Sequence, residues 1–432
     1  MTPAARLIAT LELFTAVEAD TRPVDAVMSF WFRSRRDLGE FDRGDVIEWL
    51  YSLLRHRARL LWWLEKLGAE PSPRAQFLAW LALVNRKAPD EVARMFQAAK
   101  TAPALSSDEE KFLTKLQTRT IEHPEMPEAV RLECPAWAEA SLRARFGARF
   151  GAELAAMLVP PPVDLRVNPV KSSRKAILRA VGDLGLKAEK TSFAPLGVRV
   201  AERFSYARLQ ELKSGEVEIQ DEGSQLVALL VDAQPGERVV DFCAGAGGKT
   251  LAMAAQMANK GRVIACDVNE GRLKRCAERL KTAGLHNAET KLLASETDRW
   301  VKRHKMGFDR VLIDAPCSGT GTWRRNPDTR WRGAETEGLA DLVALQKRIL
   351  ASAARLVKPG GRLVYATCSL LPEENEAQVE SFLAATPGFR LVPLAEVAPE
   401  LAAKLGGETL SLTPARHNTD GFFAAVLTRD AL

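Results

Sequence analysis

The sequence predicts an α/β fold, a doubly wound, Rossmann-like parallel sheet. A small α+β module and an all-α N-terminal segment precede it. Three observations predict this. From about residue 216 the apolar strand candidates RVVDFC, RVIACD, AETKLLA, RVLIDA and RLVYATC are separated by helix-length stretches, the pattern of β-α units that build a parallel sheet. A glycine-rich turn, Ala244-Gly245-Ala246-Gly247-Gly248-Lys249-Thr250, follows the first of them. Residues 1 to about 125 carry apolar positions at helical spacing, as in VIEWLYSLLRHRARLLWWL, with no clear strand.

The helical segment, residues 1–125, closes at the paired prolines Pro124 and Pro127. The module, residues 128–215, opens with the helical pieces PAWAEASLRARFG and GAELAAML and is braked at Pro160 to Pro162. It continues through DLRVN, a helix over KSSRKAILRAVGDLG and strand-like pieces around 193–205. The α/β domain, residues 216–432, ends on a further strand, DGFFAAVLTR.

A chain of 432 residues with 46% hydrophobic content is long enough for two or three domains. Lys and Arg outnumber Asp and Glu by 61 to 55, a balance that permits a nucleic-acid partner without requiring one. The start MTPAARLIATLELF lacks the long apolar core of a secretory signal. No apolar run approaches a membrane span. The cysteines Cys134, Cys243, Cys266, Cys276, Cys317 and Cys368 form no CxxC pair, so neither zinc nor a disulfide framework is expected. The expectation is a soluble, reduced, cytoplasmic protein with no membrane partner and no metal.

A glycine turn between a strand and a helix lets a ligand approach the backbone and presents free amides at the helix N-terminus. Three ligands compete for it. A nucleoside triphosphate loop needs glycine five residues before Gly248, where Cys243 stands. A dinucleotide loop needs a third glycine at the position of Thr250. The pattern D-x-C-A-G-x-G-G-K-T fits an S-adenosylmethionine loop better. Cys243, Ala244, Gly245, Ala246, Gly247, Gly248 and Lys249 are therefore the candidate cofactor contacts, with Gly247 expected where the backbone meets the ligand. Asp267, at the tip of the second strand, suits a ribose diol.

Two more strand tips carry thiols. RVLID leads into Ala315-Pro316-Cys317-Ser318, and RLVYAT leads into Cys368-Ser369. In a doubly wound sheet ligands bind outside the carboxyl ends of the strands, so both cysteines are expected in one crevice. Cys243, Cys266 and Cys276 have no such partner, and packing or loop shape is their expected role. A thiolate at such a crevice offers covalent catalysis. Carbon 5 of cytosine is a poor nucleophile toward a methyl donor, but addition of a thiolate at carbon 6 makes it enamine-like. That chemistry needs a lowered thiol pKa and an acid near the pyrimidine N3, for which Asp314 is placed.

The segments DFCAGAGGKT, DAPCSGTG, RRNPD, ATCSLLPEENE and DGFFAAV resemble the motifs of the RNA cytosine-5 methyltransferases of the RsmB/NOP group, over about residues 128–428. The resemblance implies a class I methyltransferase fold, S-adenosylmethionine as cofactor and RNA as substrate. It implies Cys368 as nucleophile and Cys317 as the residue that assists release of the methylated RNA. Cofactor contacts would come from Cys243 to Lys249, Asp267 and Asp314. Arg325, Pro327 and Asp328 would lie near the target base, and LRVN at Leu165 to Asn168 would open the RNA-binding module. The chain departs from the family in lacking a proline before GGKT. It also has LLASETD after the third strand, so the adenine contact falls to Ser295 or Asp298.

The helical start resembles the NusB-like RNA-binding domain of bacterial RsmB proteins, through RSRRDLGEFDRGDVIEWLYSLLRHRARL. Its Arg33, Arg35, Arg36, Arg43, Arg55, Arg57 and Arg59 form a candidate phosphate-neutralising cluster. That start favours small-subunit rRNA as the substrate, with tRNA as the alternative. A P-loop-like ATPase, suggested by GGKT and RVLID, leaves both cysteines unexplained. A non-catalytic RNA-binding protein is opposed by the intact PCS and TCS.

Overall fold

A computed structural model describes residues 1–99, 102–202, 204–331 and 338–431. The chain divides into two compact units, residues 1–158 with 326–336, and residues 159–325 with 337–432.

The first unit has no strand among its described residues. Its helices begin where the sequence supplies caps. Thr2 and Ser72 accept bonds from the amides of Ala5 and Ala75 ahead of first-turn prolines, and Ser106 with Glu109 forms a capping box. The core gathers Leu13, Phe14, Leu50, Trp63, Phe77 and Trp80. The unit does not stop near residue 125, as the sequence predicts. The buried Glu133 accepts the Ala58 amide at 2.7 Å and Arg59 Nε at 2.9 Å. Arg330 donates to the carbonyls of Glu133 at 3.1 Å and Met157 at 3.0 Å. These bonds tie the helices up to residue 158 and the segment from 326 into one body.

The second unit holds two sheets. The smaller is antiparallel, in the order β2-β3-β1-β4, from β1 (Val163–Val167), β2 (Ala188–Lys190), β3 (Gly197–Val200) and β4 (Val217–Ile219). Of the strand-like stretch 193–205 only β3 is a strand, and residue 203 lies outside the described residues. β4 falls beyond residue 215 yet pairs with β1, so the module's sheet runs past the predicted boundary.

The larger sheet comprises β5 (Arg238–Asp241), β6 (Arg262–Asp267), β7 (Ala288–Leu292), β8 (Phe308–Asp314), β9 (Val357–Thr367), β10 (Phe389–Val392), β11 (Leu410–Leu412) and β12 (Phe422–Arg429). Its order is β10-β12-β9-β8-β5-β6-β7, with β11 beside β12. β5 to β9 run parallel to one another, and β12 runs antiparallel along β9. This is the predicted doubly wound sheet. β10 and β11 are additions of four and three residues that the sequence reading did not anticipate.

Side chains alternate along each central strand, and both faces are covered. Val239, Val263, Leu312 and Val364 enter one core, while Val240, Ile264, Val311 and Leu363 enter the other. Among the described residues no helix is long and apolar enough to cross a membrane.

The loop after β8 is pinned where Gly321 meets Gly421. The Gly421 amide donates to the Gly321 carbonyl at 2.8 Å, and a Cβ on Gly321 would lie 2.2 Å from the Gly421 oxygen. Gly321→Ala is therefore expected to lower the unfolding free energy by about 2 kcal/mol or more. Urea denaturation measures it, and a midpoint equal to wild type would show that the loop yields freely.

Candidate active site

The tips of β5, β6, β8 and β9 open onto one cavity of about 670 Å³, within the range of small-molecule sites. Its wall includes Cys243, Ala244, Gly245, Ala246, Gly248, Lys249, Asp267, Ser295, Asp314, Cys317 and Cys368. Among the predicted cofactor contacts, Gly247 and the alternative adenine contact Asp298 are missing from that wall. Gly247 precedes the helix Gly248–Gln256 with φ +84°, and a Cβ there would strike Cys276 Sγ at 2.3 Å. Glycine is required at 247 by its left-handed backbone and by the buried Cys276 behind it.

Asp267 is nearly buried. Its Oδ2 accepts the Gly245 amide at 2.8 Å and its Oδ1 the Asn269 amide at 2.7 Å. Each oxygen keeps a further lone pair, enough for the two hydroxyls of a ribose. Asp241 accepts Thr250 Oγ1 at 2.7 Å, while its other oxygen, Oδ1, has no partner among the described residues. Burial pushes the Asp241 carboxyl up to about 7. A buried acceptor without a donor at the cavity suits a ligand that brings a cation. Ser295 lies on the wall, but Asp298 caps the helix Arg299–Arg303 through the Trp300 amide at 2.7 Å. The wall also includes Val268, Arg272 and Glu296, which the sequence reading missed. No pattern in the sequence marks them, because the cavity recruits Val268 and Glu296 from the turns after β6 and β7 and Arg272 from the first turn of the helix Glu270–Ala283.

Lys249 Nζ donates to Asp314 Oδ2 at 2.7 Å. Burial alone would lower the ammonium. Asp314, with Cys368 and Asp241 beyond it, outweighs burial and holds Lys249 above its ordinary value. The two thiols stand 3.4 Å apart, Sγ to Sγ. The hydrogen bond to Cys368, then burial, then the charge of Cys368 and after it that of Glu374 push the Cys317 thiol well up, against a smaller opposing bond from the Gly319 backbone.

Arg325 is held by Asp420 at 2.8 Å and Asp221 at 3.4 Å. Pro327 and Asp328 fall in the other unit, where Asp328 accepts the Val24 amide at 3.4 Å. In LRVN, Asn168 is buried and donates to the carbonyls of Gly215 and Ala283. Arg166 is also buried and bonds Gln220 at 2.6 Å. The N-terminal arginine cluster is largely spent on structure. Arg55 and Arg59 are buried. Arg35 pairs with Glu12 and Asp37, Arg57 with Glu18, and Arg43 donates to the Leu38 carbonyl. Arg33 and Arg36 are exposed.

Residues 228–428 match the family described as 16S rRNA methyltransferase RsmB/F, and residues 134–207 match its ferredoxin-like domain. A ribosomal RNA small subunit methyltransferase B from Sodalis glossinidius is 32% identical over 91% of this chain and 91% of its own. The chain belongs to the RsmB/F methyltransferase family. A probable ribosomal RNA small subunit methyltransferase B from Synechocystis is 37% identical over 62% of this chain and 60% of its own. A solved methyltransferase homolog from Pyrococcus horikoshii, 30% identical, covers 71% of this chain and 100% of its own at a TM-score of 0.59. The cofactor of this methyltransferase is S-adenosylmethionine. The free lone pairs of Asp267, the open acceptor of Asp241 and the glycine-lined wall fit it. The ATPase reading falls with the family assignment.

Asp267→Asn removes one acceptor and weakens the anchor on Gly245. It is expected to loosen S-adenosylmethionine by roughly tenfold or more, read by calorimetric titration, and an unchanged affinity would exclude Asp267 as a cofactor contact. Asp241 is raised in the folded state, so its stabilising share is full below its unfolded value and is lost as pH rises through about 7. The stability of Asp241→Asn relative to wild type should therefore rise between pH 5 and pH 8.5, by roughly 1–3 kcal/mol. Denaturant midpoints at the two pH values check the sign.

Proposed function

We propose that this enzyme transfers a methyl group from S-adenosylmethionine to carbon 5 of a cytosine in RNA, with small-subunit rRNA as the substrate, through a covalent adduct of Cys368 at carbon 6. One observation carries the reading. Two thiols in mutual contact share a wall with the cofactor loop. Methylation of an oxygen or amine needs no thiol, whereas a pyrimidine carbon must first be activated covalently. The names of the relatives support rRNA as the substrate.

S-adenosylmethionine supplies an electrophilic methyl group. Cys368 attacks carbon 6 through its sulfur, which shares the cavity wall with Lys249. Electron density moves to N3, where Asp314 delivers a proton drawn from Lys249, its partner at 2.7 Å. Carbon 5, now enamine-like, takes the methyl group, and the N3 proton returns to the pair. Water takes the carbon 5 proton, the electron pair of that C–H bond re-forms the ring double bond and Cys368 leaves as the thiolate, with Cys317 assisting this release. Ser295 and Glu296 are placed for the adenine, and Asp267 for the ribose. In the helical unit, phosphate contact falls to the exposed Arg33 and Arg36 rather than to the whole cluster.

Cys368→Ala should bind RNA and cofactor yet transfer no methyl group and form no adduct. Cys317→Ala should form the adduct and stall, giving a slow band on denaturing electrophoresis, and the double variant should give none. A stable adduct in Cys368→Ala with none in Cys317→Ala would reverse the two roles. Bisulfite mapping of rRNA from a deletion strain tests the substrate, and unaltered rRNA methylation would remove rRNA from the proposal.

A further inference from the structure

Glu374 has no part in the chemistry above, and its side chain is fully buried. It follows β9 in a short helical turn, Pro372–Glu374. Its Oε1 accepts the Ser318 amide at 2.8 Å and Gln346 Nε2 at 3.0 Å. Its Oε2 accepts Ser318 Oγ at 2.5 Å and Ser369 Oγ. Ser318 and Ser369 are the residues immediately after Cys317 and Cys368. One carboxylate thus ties together the two loops that carry the thiols. Two further bonds fix its backbone and its neighbour. Tyr365 OH donates to the Glu374 carbonyl at 2.7 Å, and Asn375 Nδ2 donates to the Ser369 carbonyl at 2.9 Å. Gln346 also reaches the Pro316 carbonyl at 2.9 Å, bracing the cysteine loop from the helix Leu339–Ala353.

Among the described residues the four donors on Glu374 are two hydroxyls and two amides, and none of these is a cation. Its charge therefore acts on its surroundings with no ammonium or guanidinium bonded to it to offset it. The surroundings of the two thiols differ accordingly. Cys317 touches Cys368 and directly precedes Ser318, whose amide and hydroxyl Glu374 holds, while the Gly319 backbone bonds its sulfur. Cys368 faces Cys317 and the Lys249 ammonium, which is itself paired with Asp314. The two sulfurs, 3.4 Å apart, thus have unlike charged neighbours.

We propose that Glu374 is a positioning residue that sets the division of labour between the thiols. It locks the two loops in register and keeps Cys317 as the S–H donor to Cys368, so that Cys368 alone is available as thiolate. This rests on the reading of Cys368 as nucleophile. It adds the reason why the other thiol, in the same crevice, does not compete.

The test reads thiol ionisation directly and needs no methyl transfer. Each cysteine in the full-length enzyme is alkylated with iodoacetamide across pH 6 to 10, and peptide mass spectrometry follows the two sites separately. In wild type, Cys317 should lag Cys368 throughout. Glu374→Gln keeps the shape and removes the charge, and it should speed alkylation of Cys317 on the order of tenfold at a given pH while Cys368 moves little. Glu374→Asp keeps the charge and should leave the Cys317 profile near wild type. A purely structural role would disturb both variants alike and would not shift one sulfur selectively. Equal rates for the two thiols in wild type overturn the proposal even if Glu374→Gln fails to fold. So does an unmoved Cys317 profile in folded Glu374→Gln. If these profiles behave as expected while Cys368→Ala still transfers methyl groups, the nucleophile assignment fails and the electrostatic role of Glu374 stands.

Discussion

The parallel pairing of β8 with β9 sets Asp314 directly opposite Ala366. Each strand then runs on by a few residues into a cysteine, and because neighbouring strands lie less than 5 Å apart, two residues 51 positions apart in sequence arrive within sulfur contact. The rest of the site is arranged around that pairing. β5 lies against β8 on the other side, which brings Lys249 from the first turn after β5 onto Asp314. β6 lies next to β5 and delivers Asp267 under the glycine loop. Both faces of the sheet are sealed by aliphatic side chains, so the carboxyl edge is the place where charge can accumulate, and four of the acidic and basic groups at issue stand there.

A sheet edge of this kind would be loose without ties, since loops after strands are the least constrained parts of such folds. Here the ties are specific. The Gly321–Gly421 contact fastens the loop after β8 to the turn before β12. The Gly321 amide donates to the Cys368 carbonyl at 2.9 Å, and the Thr320 hydroxyl accepts the Leu370 amide at 2.7 Å. Arg324 and Arg325 share Asp420 and Asp221. Burial and the charge of Asp420 hold Asp221 above the ordinary carboxylate range. Two carboxylates buried together are costly unless cations meet them, and the two arginines are those cations.

The sequence made the sheet legible because parallel strands buried on both faces read as continuous apolar runs, and the glycine turn marked the first crossover. Cys317 and Cys368 were legible for the same reason, since each directly follows such a run. Three things were not. Glu374 sat inside a segment whose cysteine drew attention, and a single glutamate in PEENE carries no sign that it will be buried. Gly247 was assigned to the ligand because a glycine-rich loop suggests close approach, whereas the contact that forbids a side chain there comes from Cys276, on a helix 23 residues or more away in the chain. The arginine cluster looked like a phosphate surface because charge alone is visible in sequence. The partners that consume it, Glu12, Glu18, Asp37 and Glu133, are scattered over more than a hundred residues.

The same limit explains the boundary near residue 125. Two prolines there break helices, and that break is real, but a helix break is not a domain boundary. What decides membership is where buried polar groups find partners. Glu133 can be buried because Arg59 and the first amides of the helix Arg57–Lys66 satisfy it, and a buried carboxylate stripped of such partners is destabilising by several kcal/mol. Arg330 is fully buried and finds its acceptors at Glu133 and Met157. Residues 133, 157 and 330 therefore cannot be divided among separate bodies without orphaning a charge. The helical unit is closed by these polar bonds as much as by its apolar core, and cutting the chain at the prolines would take from Arg59 its buried partner Glu133 and leave it only the longer pairing with the exposed Glu122.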